Sequence, residues 1–368
     1  MEPNLIPTLD PNPLPAPFWV FKLLLLVTFF LHILAMNFML GGSVLALLSK
    51  WLPGDPQLRA RIFSDIAKKL PVFLPATITL GIAPLLFVQV LYGQFFYTSS
   101  AIVAWPWFLV LIFLTFAYYG FYYVSFKSAQ TPGKGSLILF GSVLLILSVG
   151  FIYTNNFTLS LTPARWKQKY FADNTGWNLN LLEPPLIPRF LHFFTAAVAV
   201  GGLVLVILAL FRSKQDVAYG RSLFQYGGKA FMYATMAQFL VGLWFLSTLP
   251  HEIRNLFLGD NRLATLLLVI GAAGGAASVL LMSSALHKDN LRRAAYFVPA
   301  LTGVVVACMV VLRDILRDAY LQPYFRPDQF VVKTQWSVFP LFLVLFLAGV
   351  ALWLVMLKRY GLFAPAKQ

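Results

Sequence analysis

Nine stretches of the sequence stay apolar for the roughly 20 residues that a helix needs to cross the hydrocarbon layer of a membrane. They fall near 18–49, 71–96, 102–126, 136–160, 189–211, 229–250, 263–286, 294–313 and 336–357. Lipid offers no hydrogen bonds, so a chain that crosses it repeatedly must satisfy its backbone internally, and uninterrupted runs of this length do so as helices. Composition agrees: 59% of the 368 residues are hydrophobic and only 11% are charged, too few to coat a soluble body of this size. The expected fold is all-α, a polytopic membrane protein with a single membrane domain over 1–368.

The net charge of +15 would suit nucleic acid, but the placement of the charges does not. With alternate loops on opposite sides, one face collects 17 basic residues against four acids, and the other 11 against nine. This asymmetry places the basic face in the cytoplasm. The N-terminus is then outside, the C-terminus cytoplasmic, and the setting the inner membrane of a bacterium, with lipid and not nucleic acid as the surrounding partner. The Pro-rich opening MEPNLIPTLDPNPLPAPFW has no basic stretch or convincing cleavage site, and is expected to remain as an outer tail. Cys308 is the single cysteine, which excludes a disulfide within the chain and a C-x-x-C-H haem attachment.

The sequence also repeats itself. LHILAMNFMLGG at 31–42 and LHFFTAAVAVGG at 191–202 place His192, Gly201 and Gly202 each 160 positions after His32, Gly41 and Gly42; Lys69 and Lys229 keep the same offset. Two four-helix repeats, 18–160 and 189–320, are expected, related by a pseudo-twofold axis along the membrane normal and followed by a ninth helix at 336–358.

His32 and His192 lie in the outward halves of the first and fifth apolar runs. A histidine at membrane depth is costly and tends to be functional; the plain alternative is an interhelical hydrogen bond. Occurrence at the same depth in both repeats favours cofactor ligation. Haem fits best, because imidazole is a common axial ligand and helix bundles hold cofactors between facing helices; zinc would lack third and fourth ligands. The glycine pairs point first to close helix packing, with room for a macrocycle as the lesser reading. Asn37, Gln89, Gln94, Asn155, Asn156 and Gln238 read as interhelical hydrogen-bonding residues.

At 312–320, LRDILRDAY repeats Arg313/Arg317 and Asp314/Asp318 at i,i+4. A solvated helix end with local ion pairs is the default; arginines that neutralise haem propionates are the alternative. HEIR at 251–254 sets His251, Glu252 and Arg254 at the outer interface. These residues are either a loop cap or the groups that take two protons from a quinol as it gives up two electrons, with Arg254 keeping Glu252 ionised. Two long outer segments, LTPARWKQKYFADNTGWNLNLLEPPLIPR and RDILRDAYLQPYFRPDQFVVK, offer mixed charge and aromatics to an external partner or are plain connections.

With its two bundles plus a ninth helix, HILAMNFMLG in helix one, HFFTAAVAVG in helix five and KKLPVFLPATITLGIAPLLFVQVLYGQFFY in helix two, the chain resembles subunit I of the cytochrome bd-type quinol oxidases. The resemblance implies that His32 is the ligand of the family's first helix and that His192 holds a low-spin haem b. The family's oxygen-site acids correspond here to positions near Trp107 and Thr115, and its haem methionine to a position near Val269. Its G-R-Q-P-W stretch is replaced by LRDILRDAY, and its long quinol loop is reduced to HEIRNLFLGDNR. The reading that follows is a redox subunit with one or two haem b groups, part of a quinol-oxidising complex. It oxidises quinol outside and passes electrons to a periplasmic c-type cytochrome or another redox subunit. A haem-free anchor or quinone-binding subunit, a divergent oxygen-reducing bd-type oxidase and a solute transporter are the alternatives.

Overall fold

A computed structural model of the chain describes residues 6–7, 12–127 and 132–360, so positions 1–5 and 8–11 of the Pro-rich opening lie outside the described residues. The helices are α1 (Phe18–Leu48), α2 (Pro56–Ala67), α3 (Leu70–Ile102), α4 (Ala104–Lys127), α5 (Pro132–Ser160), α6 (Trp166–Ala172), α7 (Leu186–Arg212), α8 (Val217–Ser247), α9 (His251–Asn255), α10 (Arg262–His287), α11 (Leu291–Leu321) and α12 (Val338–Tyr360). Among the described residues, nine segments are long and apolar enough to span a membrane, and they match the nine apolar runs of the sequence. The protein is an all-α integral membrane protein.

Two boundaries differ informatively from the hydropathy reading. Helix α8 begins at Val217, about a dozen residues before the apolar run. Asp216 caps it by accepting from the Tyr219 amide at 2.9 Å, and Tyr219, Leu223, Phe224, Gly227 and Gly228 bury one face of its polar first turns. That amide and the neighbouring Arg61 guanidinium hold the Asp216 carboxyl below the ordinary carboxylate range. Helix α11 runs on to Leu321 instead of stopping near 313, because its terminal charges find partners inside the protein.

Helices α1 and α7 form the central crossing. A Cβ on Gly41 would overlap the Ala197 carbonyl, and one on Gly201 would sit 2.7 Å from the Gly41 carbonyl carbon. Gly202 performs the same service toward α8, where an added Cβ would lie 2.6 Å from the Gly227 oxygen. Gly41, Gly201 and Gly202 therefore serve close helix approach, which in a membrane gains dispersion contact where burial from water gains nothing, while Gly42 faces the Phe38 ring of its own helix. Around this crossing a single apolar cluster runs from Phe38 and Leu45 of α1 through Leu203 and Leu205 of α7 to Phe224 and Phe231 of α8.

On the basic face, α2 is clamped across the molecule. Asp65 accepts from Arg212 Nε at 2.8 Å and Nη2 at 2.5 Å, from Lys69 Nζ at 2.8 Å and from the Tyr219 hydroxyl at 3.1 Å. Arg61 adds a 2.5 Å bond to Asp216 and lies 3.8 Å over the Tyr219 ring. On the opposite face, the chain before α1 pairs with the segment before α12 through Leu14 N–H to Val331 O at 2.8 Å and Lys333 N–H to Leu14 O at 2.9 Å. The long segment between α5 and α7 is likewise folded: it contains α6, an Arg165–Glu183 ion pair at 2.8 Å and Trp177 stacked on Trp105 at 6.2 Å.

Gly201→Ala should lower thermal stability, since its Cβ meets backbone rather than a side chain that can move; overpacking of this kind costs about 1–3 kcal/mol. Gly303→Ala, where nothing lies within 4 Å, should be neutral or slightly stabilising. Thermal unfolding of both variants in detergent checks the contrast, and equal stability would remove the crossing from its central role.

Candidate functional site

His32 on α1 and His192 on α7 each precede a crossing glycine by nine residues, which places them ~13 Å along their helices from the crossing. His32 Nδ1 lies 3.0 Å from the Thr77 carbonyl of α3. A carbonyl only accepts, so Nδ1 carries the proton and Nε2 keeps its lone pair. The ring rests over Gly81, one turn further along α3; a Cβ there would come within 2.8 Å of His32 Cε1. The His192 ring rests in the same manner over Gly242 of α8, where a Cβ would lie 3.3 Å from Cε1, and it stacks on Phe245 with centroids 6.5 Å apart. His192 Nδ1 is shielded from solvent and has no hydrogen-bond partner. Both histidines are half-buried. The two histidines thus have separate neighbours, α3 for one and α8 for the other.

The C-terminal end of α11 packs against this region. It is not the solvated helix end that its sequence suggests. Asp314 and Arg317 are buried and ion-paired to one another at i,i+3. Lys22 of α1, set within the first apolar run, reaches Asp314 at 2.9 Å, Asp318 at 2.5 Å and the Tyr92 hydroxyl at 2.8 Å. Tyr92 donates in turn to Asp318 at 2.9 Å, and Arg317 lies 4.3 Å over its ring. Tyr92 sits where α3 departs from helical geometry, at φ −134° and ψ 30°. The bend in α3 thus falls at the residue that joins α1 to α11.

Arg313 behaves differently. It stacks 4.4 Å over Phe29 and 5.3 Å over Phe157, is close enough to act electrostatically on His32, Arg317 and Arg189, and pairs with no carboxylate. Arg189, one turn before His192 on α7, is its counterpart. It donates to Thr158 Oγ1 at 3.3 Å and lies 5.2 Å over Phe245, while its Nη2 is shielded and unpartnered. Two membrane-level cations, without ion-pair partners among the described residues, therefore stand near the two histidines. Arg317 is the most occupied of the three arginines, although its Nε and Nη1 remain unpartnered.

His251 and Glu252 are exposed on the short helix α9, and Arg254 is half-exposed beside them without an ion pair to Glu252. Ile253 of α9 packs against a cluster that includes Leu312 and Leu316 of α11. The HEIR segment therefore backs onto the same helix end that carries Arg313 and Arg317, without meeting the histidines. Sequence reading missed Arg189, Lys22 and Tyr92. The spacing of Arg189 from His192, i,i+3 on one helix face, and a lysine inside an apolar run were the available signals. Gln238 and Asn156 do act between helices, the first donating to the His192 carbonyl at 2.9 Å and the second to Ser100 at 2.9 Å. Among the described residues no group of three or more potential metal-ligating side chains is found.

The arrangement matches a known architecture. The solved structure of bd oxidase from Geobacillus thermodenitrificans contains a chain similar to this one with a TM-score of 0.70, over 95% of this chain and 100% of that chain, at 13% sequence identity. The bd oxidase fold is shared. No protein-family model matches the sequence, and no curated protein matches it.

Asp314→Ala leaves Arg317 buried without its carboxylate and takes one of two from Lys22. Breaking a buried pair from one side costs about 3–5 kcal/mol. The variant should be markedly destabilised, and Asp314→Ala combined with Arg317→Met should recover much of the loss in the same unfolding assay. A double variant no better than the single one would show that the two charges are not coupled.

Proposed function

We propose that the chain is a haem b-binding redox subunit that oxidises quinol at the outer face and passes electrons to a periplasmic c-type cytochrome or another redox subunit. The observation that carries this reading is the pairing of each half-buried histidine with a nearby arginine that lacks a counter-ion, on the fold of a bd oxidase chain. The donor set suits haem. His32 has its Nδ1 proton committed to the Thr77 carbonyl, which orients the ring and leaves Nε2 as the ligating atom. His192 offers an Nδ1 with no other use. Two uncompensated guanidinium groups, Arg313 and Arg189, match the two carboxylates of a propionate edge, with Arg317 behind them. Haem held there would supply a one-electron carrier between a two-electron donor and a one-electron acceptor.

In this reading His251 and Glu252 take the quinol protons at the outer interface, with Arg254 on the same short helix. Their exposure gives the protons a direct exit to the outer solution. Glycines 81 and 242 keep space beside the rings, and Phe29, Phe157 and Phe245 exclude water while leaving the arginine charges in place. The whole is a component of a quinol dehydrogenase or oxidoreductase complex.

A divergent oxygen-reducing bd-type oxidase is the second reading, favoured by the fold. Oxygen reduction to water needs protons delivered into a dry interior, and α4 has no carboxylate to deliver them. Trp107 packs against Tyr153 with centroids 4.8 Å apart, and Thr115 turns back to the Leu111 carbonyl at 2.8 Å on an exposed face. Neither relays a proton at neutral pH as a carboxylate does.

A reduced-minus-oxidised visible spectrum of the purified protein should show a haem b band. His32→Ala and His192→Ala should each remove or alter part of it while the protein still inserts. An unaltered spectrum in both variants would dismiss these ligands, and a colourless protein would leave a haem-free anchor.

With quinol supplied, the isolated protein should consume negligible oxygen and reduce an added c-type cytochrome. The His251→Ala/Glu252→Gln pair should slow that reduction by roughly 10²-fold or more, the usual contribution of a general base. Oxygen uptake abolished by His32→Ala would restore the oxidase reading, and a wild-type rate in the double variant would move the quinol site elsewhere.

A further inference from the structure

Far from the histidines, at the opposite end of the second bundle, a cavity of about 400 Å³ opens between the last turn of α7 and the turn joining α10 to α11. It lies on the basic face. Its lining mixes Lys288, Arg292, Asn290 and Ser213 with Leu210 and Leu291. The one acid in the lining, Asp289, is engaged by Arg221 at 3.0 Å, so its charge is neutralised from outside the cavity. Lys288 and Arg292 have no ion-pair partner among the described residues, and both are exposed. The cavity therefore presents two free cations over two leucines.

The surface that continues from it indicates the source of a matching anion. Arg292, Tyr296, Ala300 and Val304 follow at i,i+4 along α11, all four exposed, and Phe297 is exposed beside Tyr296. This line descends from a charged end into the membrane-spanning part of α11 and is apolar after its first residue. A free anion would use the cations and ignore the strip below them. A phospholipid would use both, with its phosphate at Lys288 and Arg292 and an acyl chain along Tyr296, Phe297 and Val304. We propose that this cavity is a binding site for the phosphate headgroup of an anionic phospholipid of the basic-side leaflet, independent of any redox role.

The test uses the full-length protein, stripped of lipid in a neutral detergent, with native mass spectrometry and thermal unfolding as readouts. Phosphatidylglycerol should bind and raise the unfolding temperature. Phosphatidylcholine, which is zwitterionic, and inorganic phosphate at the same concentration should not. Lys288→Gln/Arg292→Gln should weaken phosphatidylglycerol binding roughly thirty-fold, which corresponds to about 1 kcal/mol for each basic residue removed. Lys134→Gln, a basic exposed residue on another helix of the same face, should leave it unchanged. Because the two substituted side chains are exposed, the double variant should unfold with the wild-type profile when no lipid is added, which separates lost binding from lost folding. Equal binding of phosphatidylcholine would overturn the charge recognition, and an equal shift with inorganic phosphate would overturn the lipid assignment. Undiminished phosphatidylglycerol binding in the double variant, or a comparable loss in Lys134→Gln, would overturn the site. If the double variant is unstable, Arg292→Gln alone carries the same comparison with a smaller expected loss.

Discussion

The contact between α1 and α7 at Gly41 and Gly201 is the constraint on which the arrangement of the rest depends. In a bilayer, apolar side chains gain nothing from leaving lipid for protein, so helices hold together where their backbones can approach closely. Here the approach is so tight that either glycine bears on the backbone of the opposite helix. That fixes the two helices relative to each other at one depth and so fixes the depth of everything they carry. His32 and His192, nine residues away on the same side of the crossing, inherit a common level in the membrane from it. Their surroundings then diverge: α3 closes over one and α8 over the other, each with a glycine beneath the ring.

Charge is handled in opposite ways at the two ends of the bundle. On the basic face the buried carboxylate of Asp65 is surrounded by Arg212, Lys69 and the Tyr219 hydroxyl, a set that leaves the acid fully partnered and ties α2 to α7 and α8. Such a network reads as structural: it holds a short amphipathic helix against the bundle. At the opposite end, Lys22 and Arg317 are likewise matched to Asp314 and Asp318. Arg313 and Arg189 there lie over aromatic rings and have no ion-pair partner among the described residues. Cation–π contact softens the cost of a desolvated guanidinium but does not replace a counter-ion. Within the membrane-spanning part of this end, the unmatched guanidinium charge therefore stands where the histidines are.

Much of this was legible in the sequence, for a definite reason. Membrane crossings depend on local composition, so nine apolar runs translate into nine spans, and the 160-residue offset brings out His32 and His192 without any knowledge of packing. Ion pairing is not local. Lys22 meets Asp314 and Asp318 across nearly three hundred residues, so LRDILRDAY reads by itself as a solvated helix end, while the folded chain buries half of it. The start of α8 was hidden for a related reason: its first three turns are polar in composition, yet bury Tyr219, Leu223 and Phe224 against the clamp. Arg189 was hidden by the approach itself, since at the boundary of an apolar run a basic residue reads as an interfacial anchor. Only its placement over Phe245, beside His192, separates it from the ordinary cations of a loop.

The position of HEIR adds a last step. The helix that exposes His251 and Glu252 is a single turn, followed by a segment in which Gly259 adopts φ 145°, a conformation open in practice to glycine alone. This turn has few contacts of its own and takes its position from Ile253, Leu256 and Phe257, which pack with Leu312 and Leu316 of α11. Arg313 and Arg317 follow Leu312 and Leu316 directly in the chain, so the same two turns of α11 carry both the packing of α9 and the arginines. Under the proposed function, α11 would stand between the exposed turn meant to take the protons and the histidines meant to hold the electron carrier.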